Sequence, residues 1–305
     1  MALRVLVPST DLAEAIAGPA VEAIVWHIDD GQLPVPDADV LITERPRLHE
    51  HRPRIGQING LRHVHLLSLG YEWVLDHLPT GVAVSNSRGA VEDATAEHGL
   101  ALILASLRAL PAAAEQQHGH HWAPLWTTSL HGSTVVVLGH GGVGREVVSR
   151  LEPFRPAAIL PVASRARTTG AGIHVHAVED LPQLLPRADV VVVTLPHTPA
   201  TEQLVDAAFL ARMRDRGLLV NIGRGAVVDT GALVAELAAG RLRAALDVTD
   251  PEPLPADHPL WSAPGCMVTP HMAGNTDEFI RLARETAVEQ VRRLATGREP
   301  LHRVH

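Results

Sequence analysis

The segment Thr134–Glu146 has the sequence TVVVLGHGGVGRE, and the rest of the chain is best understood from it. Its apolar residues 135–138 predict a strand buried on both faces, which leads directly into a G-x-G-x-x-G motif and a helical pattern. In such a unit Gly139 permits a tight turn, Gly141 lets the backbone approach a pyrophosphate, and Gly144 lets the helix pack on the strand. The helix N-terminus adds free N–H groups and a positive dipole. The segment therefore predicts a dinucleotide-binding unit.

Composition limits the partners that the chain can have. With 305 residues the chain is long enough for two domains, and 46% hydrophobic with 20% charged residues is typical of a soluble globular protein. A formal net charge of −8 without a basic run argues against nucleic acid as a partner. No segment approaches the ~18 consecutive apolar residues of a membrane span, and the N-terminus lacks the layout of a signal peptide. We therefore expect a cytoplasmic protein with no membrane partner.

Residue counts exclude several kinds of chemistry. The chain contains no lysine, which excludes a Schiff base, a P-loop lysine and the tyrosine–lysine pair of short-chain reductases. The single cysteine, Cys266, excludes an internal disulfide. The 19 histidines are scattered, and His118, His120 and His121 lie in a Gly-rich polar stretch that is typical of a solvated loop. We therefore expect no metal site.

Short apolar segments alternate with helix-length segments on both sides of the glycine motif, which predicts a parallel α/β fold. Six strands between residues 135 and 269 predict a doubly wound Rossmann sheet, and five strands between residues 4 and 85 predict a smaller flavodoxin-like α/β domain. One of the six strands contains Pro161, which is unusual in a central strand. The expected strands outside the motif are 4–8, 23–28, 40–43, 64–67, 82–85, 158–163, 188–195, 217–222, 244–248 and 267–269.

Helical patterns suggest where the domains meet. Residues 90–117 are apolar on more than one side, which predicts a buried helix that joins two domains or faces a partner subunit, kinked or split at Pro111. The amphipathic stretch 276–295 predicts a terminal helix that packs on the first domain. We therefore predict a discontinuous substrate domain at 1–98 and 275–305 and a dinucleotide-binding domain at 99–274.

Polar residues follow three strands of the predicted Rossmann sheet, at the edge where open α/β sheets bind ligands. Arg224 lies between two glycines, Glu252 between two prolines, and His271 directly after a Thr-Pro pair. Each residue alone is also compatible with an ordinary loop or strand end. Together they predict chemistry, because a guanidinium binds a carboxylate with two hydrogen bonds, a histidine exchanges a proton with a hydroxyl, and a nearby acid orients that histidine. With a nicotinamide cofactor, the three groups would interconvert a 2-oxo acid and a 2-hydroxy acid.

Five motifs make the chain resemble the D-isomer-specific 2-hydroxyacid dehydrogenases over essentially its full length, and the glyoxylate/hydroxypyruvate reductases among them. The resemblance implies that Arg224 binds the substrate and polarises its carbonyl, that His271 is the acid/base, and that Glu252 is the partner of His271. It also implies a homodimer built through the cofactor domains and a cleft that closes over the substrate. The motifs are GHGGVG (139–144), LPHTPATEQLVD (195–206), VNIGRGAVVD (220–229), ALDVTDPEPLP (245–255) and TPHMAG (269–274).

Further contacts are implied by the same resemblance. Asp247 would meet the nicotinamide carboxamide. The backbone of a loop in the first domain would receive the substrate carboxylate, and its residues are Ser68, Leu69, Gly70 and Tyr71. The predicted cofactor-binding residues are Gly139, Gly141, Gly142, Val143, Gly144, Ser164, Arg165, Arg167, Pro196, Ile222, Asp247 and Gly274.

Two positions depart from the family pattern. The second cofactor strand normally ends in an acid that binds the adenine ribose, but this chain has Ser164 and Arg165 there, with Arg167 two residues later. An acid would repel a 2′-phosphate and arginines would bind one, so we predict that NADP(H) is preferred over NAD(H). The substrate loop contains Tyr71-Glu72, where the family usually has a small apolar residue and an aspartate, which changes the shape of the pocket.

Two alternative functions remain open at the level of sequence. A non-catalytic NAD(P)-binding sensor, similar to co-repressors of this fold, would be expected to lose one of the three catalytic residues or to carry long disordered tails, and the chain shows neither. A phosphoglycerate dehydrogenase would need basic groups in the first domain to bind phosphate, and Arg45 and Arg47 are the candidates near a strand end. Glyoxylate/hydroxypyruvate-type reduction is our main prediction.

Overall fold

The computed structural model describes residues 2–305. They form two β-sheets of five and eight strands, together with α-helices. Among the helices of this range, none combines the length and apolar character needed to cross a membrane. The strands are β1 (Leu3–Val7), β2 (Val21–Val25), β3 (Val40–Thr43), β4 (His63–Leu66), β5 (Ala83–Asn86), β6 (Thr134–Leu138), β7 (Ala158–Ala163), β8 (Arg167–Thr168), β9 (His174–Ala177), β10 (Val190–Val193), β11 (Leu218–Asn221), β12 (Arg243–Leu246) and β13 (Cys266–Val268). The α-helices are α1 (Thr10–Ile16), α2 (Glu72–Leu75), α3 (Glu92–Leu107), α4 (Leu110–His118), α5 (Gly142–Leu151), α6 (Leu181–Leu184), α7 (Ala207–Arg212), α8 (Thr230–Ala238) and α9 (Asp277–Ala295).

The chain divides into two compact units. Unit 1 contains the chain up to Val91 together with Thr276–His305, and unit 2 contains Glu92–Asn275. The boundary that we predicted after residue 98 falls inside α3, which begins at Glu92. Because a helix packs as one body, the change of unit lies ahead of α3, at residues 91 and 92.

Unit 1 is built on a five-stranded parallel sheet in the order β2-β1-β3-β4-β5. The terminal helix α9 belongs to this unit and closes one side of its core. Ala287 and Val291 of α9 lie in the same buried cluster as Val5 and Val7 of β1 and Leu12 of α1. The hydrophobic core of unit 1 thus contains residues from two segments that are far apart in the sequence.

Unit 2 is built on an eight-stranded sheet in the order β13-β12-β11-β10-β6-β7-β9-β8. All pairs are parallel except β8 with β9. The chain adds strands on one side of β6 up to β9 and then returns to the other side at β10, so β6 and β10 flank the topological switch point where doubly wound folds bind ligands. The edge strands β8 and β9 were not predicted, because two and four residues without a long apolar run give little signal.

Pro161 is accommodated within β7 by the register of that strand. Gly139 donates its N–H to the carbonyl of Val162, so residue 162 faces β6 and Pro161 faces the β9 side. Strand β9 pairs with β7 only at Val162 and Ala163. The missing N–H of Pro161 therefore falls outside the β7–β9 ladder.

Two predictions about helix ends can be compared with the structure, one at Pro111 and one at the start of α8. The predicted split at Pro111 is confirmed, because α3 ends at Leu107, Ala109 adopts a left-handed conformation with φ 52°, and Pro111 lies in the first turn of α4. The sequence also predicts Thr230 as the N-cap of α8, and this is wrong. The preceding residue, Asp229, accepts the N–H of Ala232 and caps the helix. Aspartate and threonine are both good N-caps, so the sequence alone could not separate adjacent candidates.

A buried polar network ties α9 to the sheet of unit 1. Ser85 Oγ lies 2.8 Å from both His63 Nε2 and His65 Nδ1, and Gln290 Nε2 of α9 lies 3.1 Å from His63 Nε2. The N–H of Leu301 donates to Gln290 Oε1 at 2.9 Å. Burial lowers the pKa of His63 to about 4, with a smaller effect of Arg303. Burial likewise lowers the pKa of His65 to about 3, with smaller effects of His63 and His302. Both imidazoles are therefore neutral in the folded state at neutral pH.

This network predicts acid-sensitive stability. Below pH 6.5 the unfolded chain binds a proton at each of the two histidines while the folded chain does not, until the pH reaches about 4 for His63 and about 3 for His65. Below pH 6.5 stability therefore falls by about 1.4 kcal/mol per pH unit for each histidine, or about 4 kcal/mol for both between pH 6.5 and pH 5. Urea unfolding at pH 7, 6 and 5 measures this slope. The variant His63→Gln should remove about half of it, and an unchanged slope would contradict the assignment.

Candidate active site

The glycine motif sits between β6 and α5 and brings helix and strand into direct backbone contact. Gly139 has φ 109°, a conformation that favours glycine, and a Cβ there would lie 2.5 Å from Thr194 Oγ1. A Cβ at Gly144 would lie 2.1 Å from the carbonyl oxygen of Gly139. Only glycine at both positions lets α5 approach β6 this closely.

Gly141 differs from the other two glycines because open space lies in front of it. No atom lies within 4 Å of a Cβ built at this position, and its φ of −84° is available to any residue. The N–H groups of Gly142 and Val143 begin α5 and donate to no backbone or side-chain acceptor within residues 2–305. Free amides at the start of a ten-residue helix, beside a glycine with open space, fit the pyrophosphate of a dinucleotide.

Substituting the two glycines separately tests this division of roles. Gly141→Ala should keep the melting temperature within a few degrees and weaken dinucleotide binding by at least tenfold, because the added methyl group occupies only the space of the pyrophosphate. Gly144→Ala should destabilise the fold itself by about 2 kcal/mol or more, because its methyl group would overlap the backbone. Calorimetry and cofactor fluorescence titration separate the effects, and equal loss of stability in both variants would refute the assignment.

The residues that follow β7 include Ser164, Arg165 and Arg167, and Arg167 lies beside the glycine loop. Ser164, Arg165 and Arg167 are all exposed, and Arg167 Nη2 in β8 lies 3.4 Å from the carbonyl oxygen of His140 and 3.5 Å from its Nδ1. Burial lowers the pKa of His140, and the charges of Arg167 and Arg145 lower it further. His140 Nε2 is buried and has no hydrogen-bond partner within residues 2–305. The slot that usually holds an acid is therefore a cationic surface.

Arg224 is placed by the two glycines that flank it. A Cβ at Gly223 would lie 2.5 Å from the carbonyl oxygen of Leu195, and one at Gly225 would lie 2.0 Å from that of Thr249. Asn221 at the end of β11 accepts the N–H of Gly223 at 3.0 Å and donates to the carbonyl of Arg224 at 3.0 Å. These contacts press the segment against the loops after β10 and β12, so the arginine has one backbone position at the carboxyl edge of the sheet.

Glu252 and His271 form a pair at the same edge. Glu252 Oε1 lies 2.7 Å from His271 Nδ1, and both side chains are partly accessible. A carboxylate only accepts hydrogen bonds, so His271 carries a proton on Nδ1 and its Nε2 is the nitrogen that can exchange a proton with a bound molecule. The backbone of His271 has φ 50°, a conformation that costs a non-glycine residue about 1 kcal/mol and that is found at functional sites.

Asp247 lies beneath this pair with only 2% of its surface exposed. Its Oδ1 accepts the Thr269 hydroxyl at 2.6 Å and the N–H of Met272 at 3.0 Å, and its Oδ2 accepts the N–H of Ala273 at 3.0 Å. The carboxylate thus holds the loop that carries His271. Oδ2 keeps a second lone pair, so the predicted contact of Asp247 with a carboxamide stays a prediction.

The remaining predicted cofactor residues lie in the loops of unit 2. Pro196 is exposed after β10, and its carbonyl accepts the Thr201 hydroxyl at 2.7 Å. Ile222 follows β11 with its side chain buried, so only its backbone could face a ligand. Gly274 is half-buried and ends the loop after His271.

The predicted substrate loop belongs to unit 1 and follows β4. Its carbonyl groups are occupied, since Asn86 Nδ2 donates to Leu69 at 2.9 Å and Trp73 Nε1 donates to Gly70 at 3.2 Å. Ser68 Oγ also donates to the carbonyl of Gly70, and the N–H of Tyr71 donates to the Glu72 carboxylate. The N–H groups of Leu69 and Gly70 donate to no acceptor in the described chain. Two unused amides in one loop are what a carboxylate requires.

Unit 1 also contains a cavity of about 490 Å³ at the carboxyl ends of its strands. Arg45 and Arg47 line it on the loop after β3, and Arg284 lines it from α9. Asp29 fixes the loop by accepting the N–H of Arg47 with both carboxylate oxygens, at 3.0 and 3.2 Å. The guanidinium groups of Arg45 and Arg47 make no hydrogen bond with another residue in the range 2–305.

Comparison with known proteins identifies the family. Residues 100–273 match the model of the D-isomer specific 2-hydroxyacid dehydrogenase NAD binding domain, which is more than half of the chain. The chain is 34% identical to human glyoxylate reductase/hydroxypyruvate reductase over 225 residues, which cover 71% of this chain and 69% of the human protein. The chain belongs to the D-isomer specific 2-hydroxyacid dehydrogenase family. It is thus an NAD(P)-dependent oxidoreductase by family, and the fold class predicted from the sequence is confirmed.

Two further similarities bear on the choice of function within the 2-hydroxyacid dehydrogenases. The NADPH-dependent glyoxylate/hydroxypyruvate reductase of Sinorhizobium meliloti, solved with NADP and malonate, is 25% identical with a TM-score of 0.82, and the match covers 100% of this chain and 97% of that one. D-3-phosphoglycerate dehydrogenase of Mycobacterium tuberculosis is 37% identical over 222 residues, which cover 71% of this chain but only 41% of that protein.

Sequence analysis missed two residues that this 2-hydroxyacid dehydrogenase places beside Asp247. Thr269 donates to the Asp247 carboxylate, and His98 Nε2 on α3 lies 3.0 Å from Thr269 Oγ1. Thr269 could have been noticed, because it begins the motif TPHMAG. His98 could not, since it is one of several polar residues on α3 and lies 171 positions away from its partner.

Proposed function

We propose that this protein reduces a small 2-oxo acid to a D-2-hydroxy acid, with glyoxylate and hydroxypyruvate as the favoured substrates. The main support is the His271–Glu252 pair, 2.7 Å apart, on the loops of the same sheet edge that carries Arg224. These residues sit after adjacent strands β11, β12 and β13, and the glycine loop follows β6 two strands further along. A proton donor, a guanidinium and a dinucleotide site on one sheet edge fit this reaction class.

The roles follow from the geometry of each group. A bound nicotinamide cofactor supplies the hydride. His271 gives the proton on Nε2 to the substrate oxygen, and the Glu252 carboxylate stabilises the imidazolium form before transfer and fixes the ring through Nδ1. Arg224 holds the substrate carboxylate and carbonyl by paired N–H groups. The N–H groups of Leu69 and Gly70 in unit 1 are the proposed hydrogen-bond donors to the substrate carboxylate.

Three substitutions test these assignments. Arg224→Lys should lower kcat/KM about a hundredfold although the charge is kept, because an ammonium cannot make the paired contact.

His271→Ala should lower kcat by ~10²–10⁴-fold with cofactor binding intact. Glu252→Gln should be milder, because an amide oxygen can still accept the Nδ1 hydrogen bond of His271 but carries no charge. Initial rates across pH 5–9 measure all three, and near-normal rates for Arg224→Lys or His271→Ala would remove that residue from the reaction.

A substrate with a second anionic group is the other candidate, and the cavity of unit 1 favours it. Arg45 and Arg47 line that cavity with guanidinium groups that have no hydrogen-bond partner among residues 2–305, and Asp29 fixes the loop that carries them. We propose 3-phosphohydroxypyruvate as the test compound of this class. A rate panel with glyoxylate, hydroxypyruvate and 3-phosphohydroxypyruvate decides between the candidates. A preference for the phosphorylated compound that disappears in Arg47→Ala would favour the second.

We propose that the enzyme prefers NADP(H) to NAD(H). Ser164 and Arg165 are exposed at the end of β7, and Arg167 extends to the glycine loop beside His140, so three donors surround the place where the ribose-binding acid is usually found. An arginine binds a phosphate with charge-assisted hydrogen bonds worth ~1.5–3 kcal/mol each. Of the two arginines, Arg167 has the more defined position.

The preference is tested by removing the arginines one at a time. Arg165→Ala and Arg167→Ala should each weaken NADPH binding about tenfold or more and leave NADH binding within about threefold, because only NADPH carries the 2′-phosphate. Arg187→Ala, an exposed arginine near the amino end of β10, is the charge-matched control and should change neither. Equal efficiency with both cofactors in the wild type would refute the preference.

We also propose a cytoplasmic homodimer formed through unit 2. Trp122 and Trp126 are 95% and 102% exposed, and Leu110 and Leu125 are exposed in the same stretch. Large exposed apolar side chains that lie close together in the chain are a feature of interfaces. Sedimentation velocity measures the assembly, and a monomer at micromolar concentration would contradict it.

A further inference from the structure

The loop that carries His271 is held by hydrogen bonds to the buried residue Asp247. His271 has φ 50°, in the left-handed region that disfavours side chains with a Cβ. Its N–H donates to the carbonyl of Asp247 at 2.8 Å, and the next two N–H groups, of Met272 and Ala273, donate to the Asp247 carboxylate. Three consecutive N–H groups thus donate to one aspartate, and the N–H of His271 also donates to the carbonyl of Thr269 at 3.0 Å. The orientation of His271 is therefore set by whatever fixes the Asp247 side chain.

Thr269 and His98 are the side chains that contact the Asp247 carboxylate. Thr269 Oγ1 lies 2.6 Å from Asp247 Oδ1, and His98 Nε2 lies 3.0 Å from Thr269 Oγ1 and 3.4 Å from Asp247 Oδ1. A hydroxyl has one proton to donate, and a carboxylate can only accept. The Thr269 proton therefore goes to Asp247, and the contact with His98 requires a proton on Nε2 that is donated to Thr269.

The approach of α3 to the sheet makes this contact possible. Gly99 follows His98, and a Cβ at position 99 would lie 2.7 Å from Ile222 Cδ1 on the segment after β11. Thr95, Ala96, Leu102 and Ile103 of α3 are buried as well. The helix therefore lies directly against the strands, which lets His98 reach Thr269 and Asp247.

We propose that His98 is a positioning residue for His271. It donates Nε2–H to Thr269, this bond orients the Thr269 hydroxyl toward Asp247, and Asp247 holds the N–H groups of the loop around His271. His98 itself exchanges no proton with the substrate in this scheme. Its removal leaves the Thr269 hydroxyl free to rotate and loosens the loop, so His271 no longer keeps one geometry toward Glu252. This inference rests on the proposed acid/base role of His271.

A set of three substitutions isolates the Nε2 donor. Glutamine places an amide nitrogen the same number of bonds from Cβ as histidine Nε2, asparagine places it one bond short, and leucine has no donor. His98→Leu and His98→Asn should lower kcat about tenfold or more. His98→Gln should stay within about threefold of the wild type. The dissociation constant of the cofactor should change by less than about threefold in all three variants, because none of them alters the glycine loop.

Hydrogen exchange of the cofactor-free protein gives a second readout that does not need activity. The N–H groups of Met272 and Ala273 are bonded to Asp247, so exchange of a peptide covering 269–275 should be faster in His98→Leu and His98→Asn and unchanged in His98→Gln. Peptides from α5 and α8 serve as internal controls and should exchange as in the wild type.

The possible results separate the roles of His98. Wild-type kcat and exchange in all three variants would overturn the proposal. So would a uniform loss that includes His98→Gln, with faster exchange across α3, α5 and α8 and an unchanged pH profile of kcat, because that pattern describes a packing residue. If the wild type reduces none of the 2-oxo acids, the proposed function fails, whereas the exchange comparison still decides whether His98 fixes the loop.

Discussion

Close contact between backbone segments at the carboxyl edge of the unit 2 sheet is the constraint on which the site depends. Gly144 packs on the carbonyl of Gly139, Gly223 on that of Leu195, and Gly225 on that of Thr249, each at a distance that excludes a Cβ. These contacts join the loops after β6, β10, β11 and β12 into one layer. Because glycine is required at each point, the loops cannot shift independently, and Arg224 is held between two of these contacts. The precision of the site is thus supplied by backbone packing and not by side-chain bonds alone.

Within that layer the polar groups form a second level of organisation. The buried Asp247 carboxylate connects β12 to the loop after β13, and the exposed pair of Glu252 and His271 lies above it. A buried carboxylate is stable only when its oxygens accept hydrogen bonds, and here backbone N–H groups and a hydroxyl provide them. The same bonds that satisfy the buried charge also hold His271 in its left-handed conformation. Stability of the buried acid and geometry of the site are therefore one requirement.

The sequence predicted those parts of the fold that have a local signature. The glycine motif, the alternation of strands and helices and the split at Pro111 each depend on residue types within a short window, and the structure contains all of them. The edge strands β8 and β9 have too few apolar residues to be recognised, and Thr230 and Asp229 compete as N-caps because both residue types cap well. The domain boundary predicted after residue 98 lies inside α3, whereas the change of unit lies ahead of that helix, between residues 91 and 92.

In the candidate site, too, the residues with a local sequence signature could be predicted and the others could not. Arg224, Glu252 and His271 could be predicted because each directly follows a strand and parallel strands end at one edge. The link from His98 through Thr269 to Asp247 could not, since it joins residues 171 positions apart and depends on how closely α3 packs. The sequence thus predicts the residues that follow the strands. It does not predict the contacts that hold them in place, because those contacts depend on the tertiary structure.

The route of the chain through unit 1 has a consequence for synthesis on the ribosome. Val5, Val7 and Leu12 share their buried cluster with Ala287 and Val291, and Val84 of β5 exchanges hydrogen bonds with Val304 and His305. Unit 2, in contrast, is one continuous segment, Glu92–Asn275. The part of unit 1 that precedes Glu92 therefore has an incomplete core until α9 has been synthesised. During that interval these residues expose the apolar face that α9 later covers, and an exposed apolar face of this kind is a site for aggregation or for chaperone binding.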